Sequence, residues 1–301
     1  MEFKEKLAAF RSRIDSAIDQ FTPTSNTRPS RIHEAMRYSL SAGGKRIRPA
    51  LVLASSELFD SQTNALPAAV AVECLHTYTL IHDDLPAMDD SNLRRGVDTC
   101  HIRFDEATAI LAGDALLTYA FELLAKPYSS EPRLAVELIA ILSETAGSQK
   151  LIGGQMEDII GENRSISDTE LEYIHLNKTS ALIEASLNMG AAIGGANDDE
   201  RHSISEYGRC IGLGFQIMDD ILDATSDSKT MGKTVGADAA ANKTTYVSVH
   251  GLKESKSRLA SLTNRAREIC DQLDAPFLEQ LATYLNAVSY THLTLPTNRE
   301  V

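Results

Sequence analysis

ALPAAVAVECLHTYTLIHDDL, residues 65–85, is the stretch on which the fold turns. It stays apolar for most of its length, stops at Pro86 and closes on two carboxylates, Asp83 and Asp84. No strand-like alternation with β-branched residues marks it, so it reads as a long apolar helix with charge at its end. Outward from it the helical pattern recurs. Phe3, Leu7, Phe10, Ile14 and Ile18 open the chain with an amphipathic helix, which Thr22-Pro23-Thr24-Ser25-Asn26 breaks. A second helix over 30–41 stops at Gly43-Gly44, and Pro49 suits the first turn of a third. Beyond the polar segment Asp89 to Thr99, helices are expected near 105–126, 131–159 (interrupted at Gly153-Gly154), 168–194, 200–224, 242–274 and 276–287. With no strand pattern and no linker, residues 1–287 read as one all-α bundle of about ten helices. From Val288 the helical pattern is abandoned. The run Ser289-Tyr290-Thr291-His292-Leu293-Thr294-Leu295-Pro296-Thr297 resembles a translated sequencing adapter, so 288–301 are expected to be a non-native or disordered tail.

Composition narrows the function. Of 301 residues, 43% are hydrophobic and 24% charged, enough for a sizeable core and against disorder. The formal charge of −13 argues against nucleic acid or an anionic membrane as partner, since either demands a basic face. The charged start Met1-Glu2-Phe3-Lys4-Glu5-Lys6 shows no secretory signal, and the apolar run from Leu66 to Val72 ends at Glu73, too short to span a bilayer. Cysteines 74, 100, 210 and 270 form no CxxC pair and suit a reduced cytosol. A cytoplasmic protein is expected.

Two acidic clusters carry the chemistry. In Asp219-Asp220-Ile221-Leu222-Asp223 the carboxylates are three and four residues apart, on one helical face. Like charges at that spacing repel, so the arrangement is costly unless a cation binds. Phe215, Ile217, Met218, Ile221 and Leu222 around them are apolar, which suggests a pocket. Asp83, Asp84 and Asp89 form the second cluster. Pro86 prevents a regular helix there, so a bulge is expected to carry Asp89 back toward Asp83. Two such clusters facing each other would cage Mg²⁺ and one diphosphate, Mg²⁺ sharing its shell between carboxylates, water and phosphate. The cationic complement is Gly43-Gly44-Lys45-Arg46-Ile47-Arg48-Pro49, with Arg94-Arg95-Gly96 after the first cluster. Lysine offers a point charge and arginine a fork to phosphate oxygens. Together they imply two anionic ligands, one held through metal and one held directly.

The order of motifs then shows a resemblance that spans roughly 1–287. Gly-Gly-Lys-Arg-x-Arg-Pro, His76 seven residues before Asp83, Asp-Asp-x-x-x-x-Asp followed by Arg-Arg-Gly, Gly153-Gly154-Gln155, Lys178-Thr179, Phe215-Gln216 and Asp-Asp-x-x-Asp are all present. The chain resembles short-chain trans-isoprenyl diphosphate synthases, most of all bacterial farnesyl diphosphate synthases. That resemblance implies the type I isoprenoid synthase bundle with a central active-site cavity, a homodimer, and about three Mg²⁺ per site. It implies that Asp83, Asp84, Asp89, Asp219, Asp220 and Asp223 hold Mg²⁺ around the allylic diphosphate, with Arg94, Lys178, Lys233 and Lys243 on its oxygens. Lys45, Arg48, His76 and Arg95 would hold isopentenyl diphosphate. Thr179 and Gln216 would sit beside the developing allylic cation, where oxygen dipoles favour positive charge. Asp238 is expected to orient Lys233 or Lys243.

Chain length has a geometric reading. Tyr78 lies five residues before Asp83 on the helix, about 7–8 Å deeper at 1.5 Å per residue. With its neighbour Thr79 it would floor the pocket under a ten-carbon allylic chain and give a fifteen-carbon product. Geranyl or geranylgeranyl products remain alternatives. Rival classes fit less well. Glu73-x-x-His76 and Glu172-x-x-His175 suit a di-iron bundle, but that reading leaves six aspartates and the Lys/Arg motif unexplained. A His-Asp phosphohydrolase wants more neighbouring histidines than a chain with 8 provides. Met231-Gly232-Lys233-Thr234 lacks the earlier P-loop glycine, Asp227 standing there, and no strand precedes it. A terpene cyclase needs no second diphosphate site, and a non-catalytic partner subunit would be expected to have lost acidic motifs.

Overall fold

In the computed structural model the 65–85 stretch is one helix, Leu66–Asp83, with Pro67 in its first turn. The structure describes residues 2–59, 61–162, 164, 166–225 and 244–290. Two compact units emerge.

The first unit takes 2–53 and Gln62–Leu142. It contains α1 (Phe3–Phe21), α2 (Ser30–Ser41), most of α3 (Ile47–Ser56), α4 (Leu66–Asp83), a hairpin of β1 (Leu93–Arg94) and β2 (Val97–Asp98), α5 (Cys100–Arg103), α6 (Glu106–Ala125) and most of α7 (Pro132–Ala146). Helix α4 packs on α6 and α1, and α2 packs on α6. Its residues 67–75 are buried on every face, which explains why the sequence there is apolar without amphipathic period. Fully buried Val70, Leu75, Leu116 and Leu124 belong to this core, each contributing about 1.5–3 kcal/mol of transfer free energy. Asp105 caps α6 by accepting from the Thr108 amide at 2.7 Å. Among the described residues, α6 is the one helix long and apolar enough to cross a membrane. Here its Ala109, Ala112, Leu116, Ala120 and Leu124 are buried in the helical core.

The second unit takes 54–59, 61 and the described residues of 143–290. Its elements are α8 (Leu151–Gly161), α9 (Asp168–Ile174), a π-turn over His175–Ser180, α10 (Ala181–Gly194), α11 (Asp198–Thr225), α12 (Tyr246–Leu273) and α13 (Pro276–Tyr290). Helix α11 is the hub, packing on α10, α12, α13 and the π-turn. Its glycines let it approach closely. A Cβ on Gly212 would lie 2.1 Å from Ser180 Oγ, and one on Gly208 would lie 2.8 Å from Glu184 Cα.

Four expectations need correction. The break expected at Gly153-Gly154 falls at 147–150, and both glycines lie inside α8. The stretch 168–194 is not uniformly α, because its middle turn is π. The polar segment before α5 holds a two-residue-per-strand hairpin, too short for any alternation to show. Helix α13 reaches Tyr290, past the point at which the helical pattern fades.

Candidate active site

The candidate residues of the first unit are set up by one turn and one helix end. Gly43 and Gly44 adopt φ of 90° and 123°, and Arg46 is left-handed at 52°. Arg46 is 6% exposed. Its guanidinium donates to Glu73 Oε1 at 2.6 Å, to Asp15 Oδ1 at 3.0 Å and to the Leu40 carbonyl at 2.6 Å. The central arginine of the basic motif is thus an anchor. It leaves Lys45 exposed on one side and Arg48 half-buried on the other. Arg95 lies against Gly44, where a Cβ would sit 2.6 Å from its Nη1, and it donates to the Gly43 carbonyl.

Arg48, His76 and Arg95 belong to one basic cluster. Arg48 Nη1 stands 3.5 Å from His76 Nε2, and Arg48 Nε is buried without a hydrogen-bond partner. Burial, then the positive charges of Arg48 and Arg95, hold the His76 imidazole well below its ordinary value and so neutral. The orphaned Nε and the crowding of cations fit an anion with several oxygens.

At the end of α4 the chain folds back. The Asp89 amide donates to the Asp83 carbonyl at 2.8 Å, and the Ser91 amide to the Asp84 carbonyl at 3.1 Å. Asp89 therefore returns to Asp83, as the Pro86 argument requires. Asp83 is half-buried and Asp89 exposed, but Asp84 is buried and engaged. Arg94 grips it with Nε at 2.8 and 2.9 Å and Nη2 at 2.6 Å. Desolvation raises the Asp84 pKa even so, and Arg94 counters it. Asp84 and Arg94, expected to meet metal and phosphate separately, meet each other. Tyr78 is 5% exposed and its hydroxyl is buried with no partner, pushed up to about 12 by burial and by Asp83. Its ring meets His82 edge-on at 5.8 Å. Thr79 Oγ1 donates to the His76 carbonyl at 2.8 Å.

In the second unit, α11 carries Gln216, Asp219, Asp220 and Asp223 on the side opposite buried Ile217, Met218 and Ile221. Asp219 is exposed, Gln216 and Asp223 half-buried. Asp220 Oδ2 accepts from the Tyr246 amide at 2.6 Å and lies 3.8 Å from His175 Nε2. Burial pushes His175 down to about 4, with Asp158 opposing and the Lys178 ammonium reinforcing it. The π-turn also carries Lys178 and half-buried Thr179, and Lys178 Nζ reaches Asp158 Oδ2 at 2.6 Å. Lys233, Asp238 and Lys243 lie outside the described residues.

Among the described residues, no three His, Cys, Asp or Glu side chains gather into a closed metal centre. Apart from buried Asp84, the carboxylates supply hard oxygens at half-buried and exposed positions, the donor set Mg²⁺ takes when water and phosphate complete its shell. They do not suit a di-iron site. Glu73 is bonded to Arg46 and His76 stands beside Arg48. Sequence reasoning missed Arg46, Asp158, His175 and Tyr246 as partners of the motif residues. Only Asp158 had a local signal, lying one helical turn after Gly154.

Comparison with known proteins supports the same class. A profile of the polyprenyl synthetase family matches residues 29–275. A curated Arabidopsis thaliana protein, the large subunit 1 of heterodimeric chloroplastic geranylgeranyl pyrophosphate synthase, is 45% identical, covering 92% of this chain and 76% of its own length. Farnesyl diphosphate synthase of Haemophilus influenzae is 46% identical over 88% of this chain and 90% of its own. A geranyltransferase from Helicobacter pylori, solved with magnesium and isoprenyl diphosphate, superposes with a TM-score of 0.79 at 35% identity, covering 94% and 96% of the two chains. The helical architecture is accordingly that of the type I isoprenoid synthases. With clustered aspartates, a basic cluster and these relatives in agreement, the chain belongs to the polyprenyl synthetase family, and it is a short-chain trans-prenyltransferase acting on isoprenoid diphosphates.

Proposed function

We propose that this enzyme joins isopentenyl diphosphate to dimethylallyl and geranyl diphosphate and stops at the fifteen-carbon farnesyl diphosphate. The observation that carries the two-diphosphate reading is the Arg48–His76–Arg95 cluster, with a buried Arg48 Nε that the protein itself does not satisfy. An isopentenyl diphosphate held by Lys45, Arg48, His76 and Arg95 would satisfy it, and a neutral His76 donates without adding charge repulsion. Asp83, Asp89, Asp219, Asp220 and Asp223 would hold Mg²⁺, at about three ions per site, while Asp84 orients Arg94 toward the allylic diphosphate. Bound Mg²⁺ would draw off the charge that builds on the departing diphosphate. Lys178, Arg94, Lys233 and Lys243 neutralise its remaining oxygens. Thr179 and Gln216 turn oxygen dipoles toward the allylic carbon as it becomes cationic. The isopentenyl double bond attacks that carbon, and the released diphosphate accepts the proton that is lost.

Support for fifteen carbons comes from Tyr78, a large buried ring about 7–8 Å before the end of α4. The names of curated relatives favour a second reading, a twenty-carbon geranylgeranyl product. Chromatography of the dephosphorylated products separates the two. Tyr78→Ala should lengthen the product by one five-carbon unit or more. A wild-type product of twenty carbons, unchanged in the variant, rejects the tyrosine floor.

We also propose a homodimer working in a reducing compartment such as the cytoplasm. Ile102, Ile110 and Leu111, on the packed helices α5 and α6, are large, apolar and exposed, as a self-associating surface requires. All four cysteines are buried and unpaired.

A further inference from the structure

We propose that Asp158 is a positioning residue for the Lys178 ammonium, brought against it by a close helix crossing at Gly154, and that it sets affinity for the allylic diphosphate alone. The proposal rests on the reading of Lys178 as a ligand of that diphosphate. Helix α8 meets residue 178 at two points. A Cβ on Gly154 would lie 2.4 Å from the Lys178 amide nitrogen and 2.9 Å from its Cα, so only glycine admits this approach. Four residues on, and so on the same face of α8, Asp158 Oδ2 takes Lys178 Nζ at 2.6 Å. The backbone of the lysine and its tip are both fixed by one helix.

The rest of the geometry supports a positioning role. Lys178 sits in the π-turn His175–Ser180, a widened turn of the kind that persists where surrounding packing holds it. The Lys178 and Asp158 side chains are 31% and 19% exposed, so the pair is shielded without being sealed. A lysine on four rotatable bonds otherwise sweeps a wide arc, and this clamp presents its charge in one place. The basic cluster of Lys45, Arg48, His76 and Arg95 involves neither residue, so isopentenyl diphosphate should not sense the change.

The test uses the full chain with Asp158→Asn, Asp158→Glu, Lys178→Ala and the Asn/Ala double variant. Two readouts are needed: KM for each substrate, and calorimetric Kd for inorganic pyrophosphate with Mg²⁺. Asp158→Asn should raise KM for geranyl diphosphate about tenfold and weaken pyrophosphate similarly, with KM for isopentenyl diphosphate within about twofold of wild type. In the Lys178→Ala background the Asn substitution should change neither value by more than about twofold, because the two residues act as one. Asp158→Glu, which keeps the charge, should recover part of the loss. Additive effects of the two substitutions, or an equal rise in both KM values, would overturn the proposal. Should Lys178→Ala itself leave KM for geranyl diphosphate unchanged, the assignment of Lys178 falls first, and the positioning role with it.

Discussion

At the scale of single residues, type and spacing announce the acidic and basic motifs, but not what each side chain touches. The fold-back of Asp89 onto Asp83 and the shared helical face of Asp219, Asp220 and Asp223 were legible, the first from Pro86 and the second from spacings of three and four. Arg46 was not, since it lies in the same basic run as Lys45 and Arg48 and only folding shows it bonded to buried Glu73. Glu73 is 2% exposed, so Arg46→Ala should leave it charged and unpaired at a cost of about 3–5 kcal/mol, read from denaturant unfolding. His175 offers a pH test. Its folded-state pKa near 4 lies below the ordinary histidine value of about 6.5, so the unfolded chain binds more protons between them. The stability it contributes is complete above that upper value, declines as pH falls toward 4, and is level below. From pH 7 to pH 5 the loss is on the order of 2 kcal/mol, and His175→Asn should flatten that part of the stability profile.

At the scale of elements, the helices were legible because the hydrophobic period survives in most of them, and in α4 sheer apolar length replaced it. Glycines misled. Gly153 and Gly154 looked like a break, yet Gly154 marks a crossing where α8 runs against the Lys178 backbone, a contact no local pattern encodes. The same distinction separates two glycines of α11. A methyl on Gly212 would meet the Cα of Ser180 at 2.6 Å, an atom that cannot swing aside. One on Gly214 would meet only the Leu259 Cδ1 tip, at 3.3 Å. Gly212→Ala should therefore destabilise by about 1–3 kcal/mol. Gly214→Ala should be neutral or gain up to about 1 kcal/mol of helix propensity. Chemical denaturation of the two variants compares them directly, and equal losses would contradict the crossing argument.

At the scale of the whole molecule, the all-α class and the family were readable from the order of motifs. Two of the cuts between the compact units fall inside α3 and α7, where no linker composition can appear, so composition is silent on them. The proposed self-association belongs to this scale. Leu111 is 56% exposed, so Leu111→Glu should leave the monomer folded and shift sedimentation from dimer to monomer. The most direct measurement is transfer of radiolabelled isopentenyl diphosphate to geranyl diphosphate by the purified chain, with Mg²⁺ and with EDTA. The account predicts label in a fifteen-carbon diphosphate with Mg²⁺ and none with EDTA. A folded protein that transfers no label with Mg²⁺, or transfers it equally under EDTA, would contradict it.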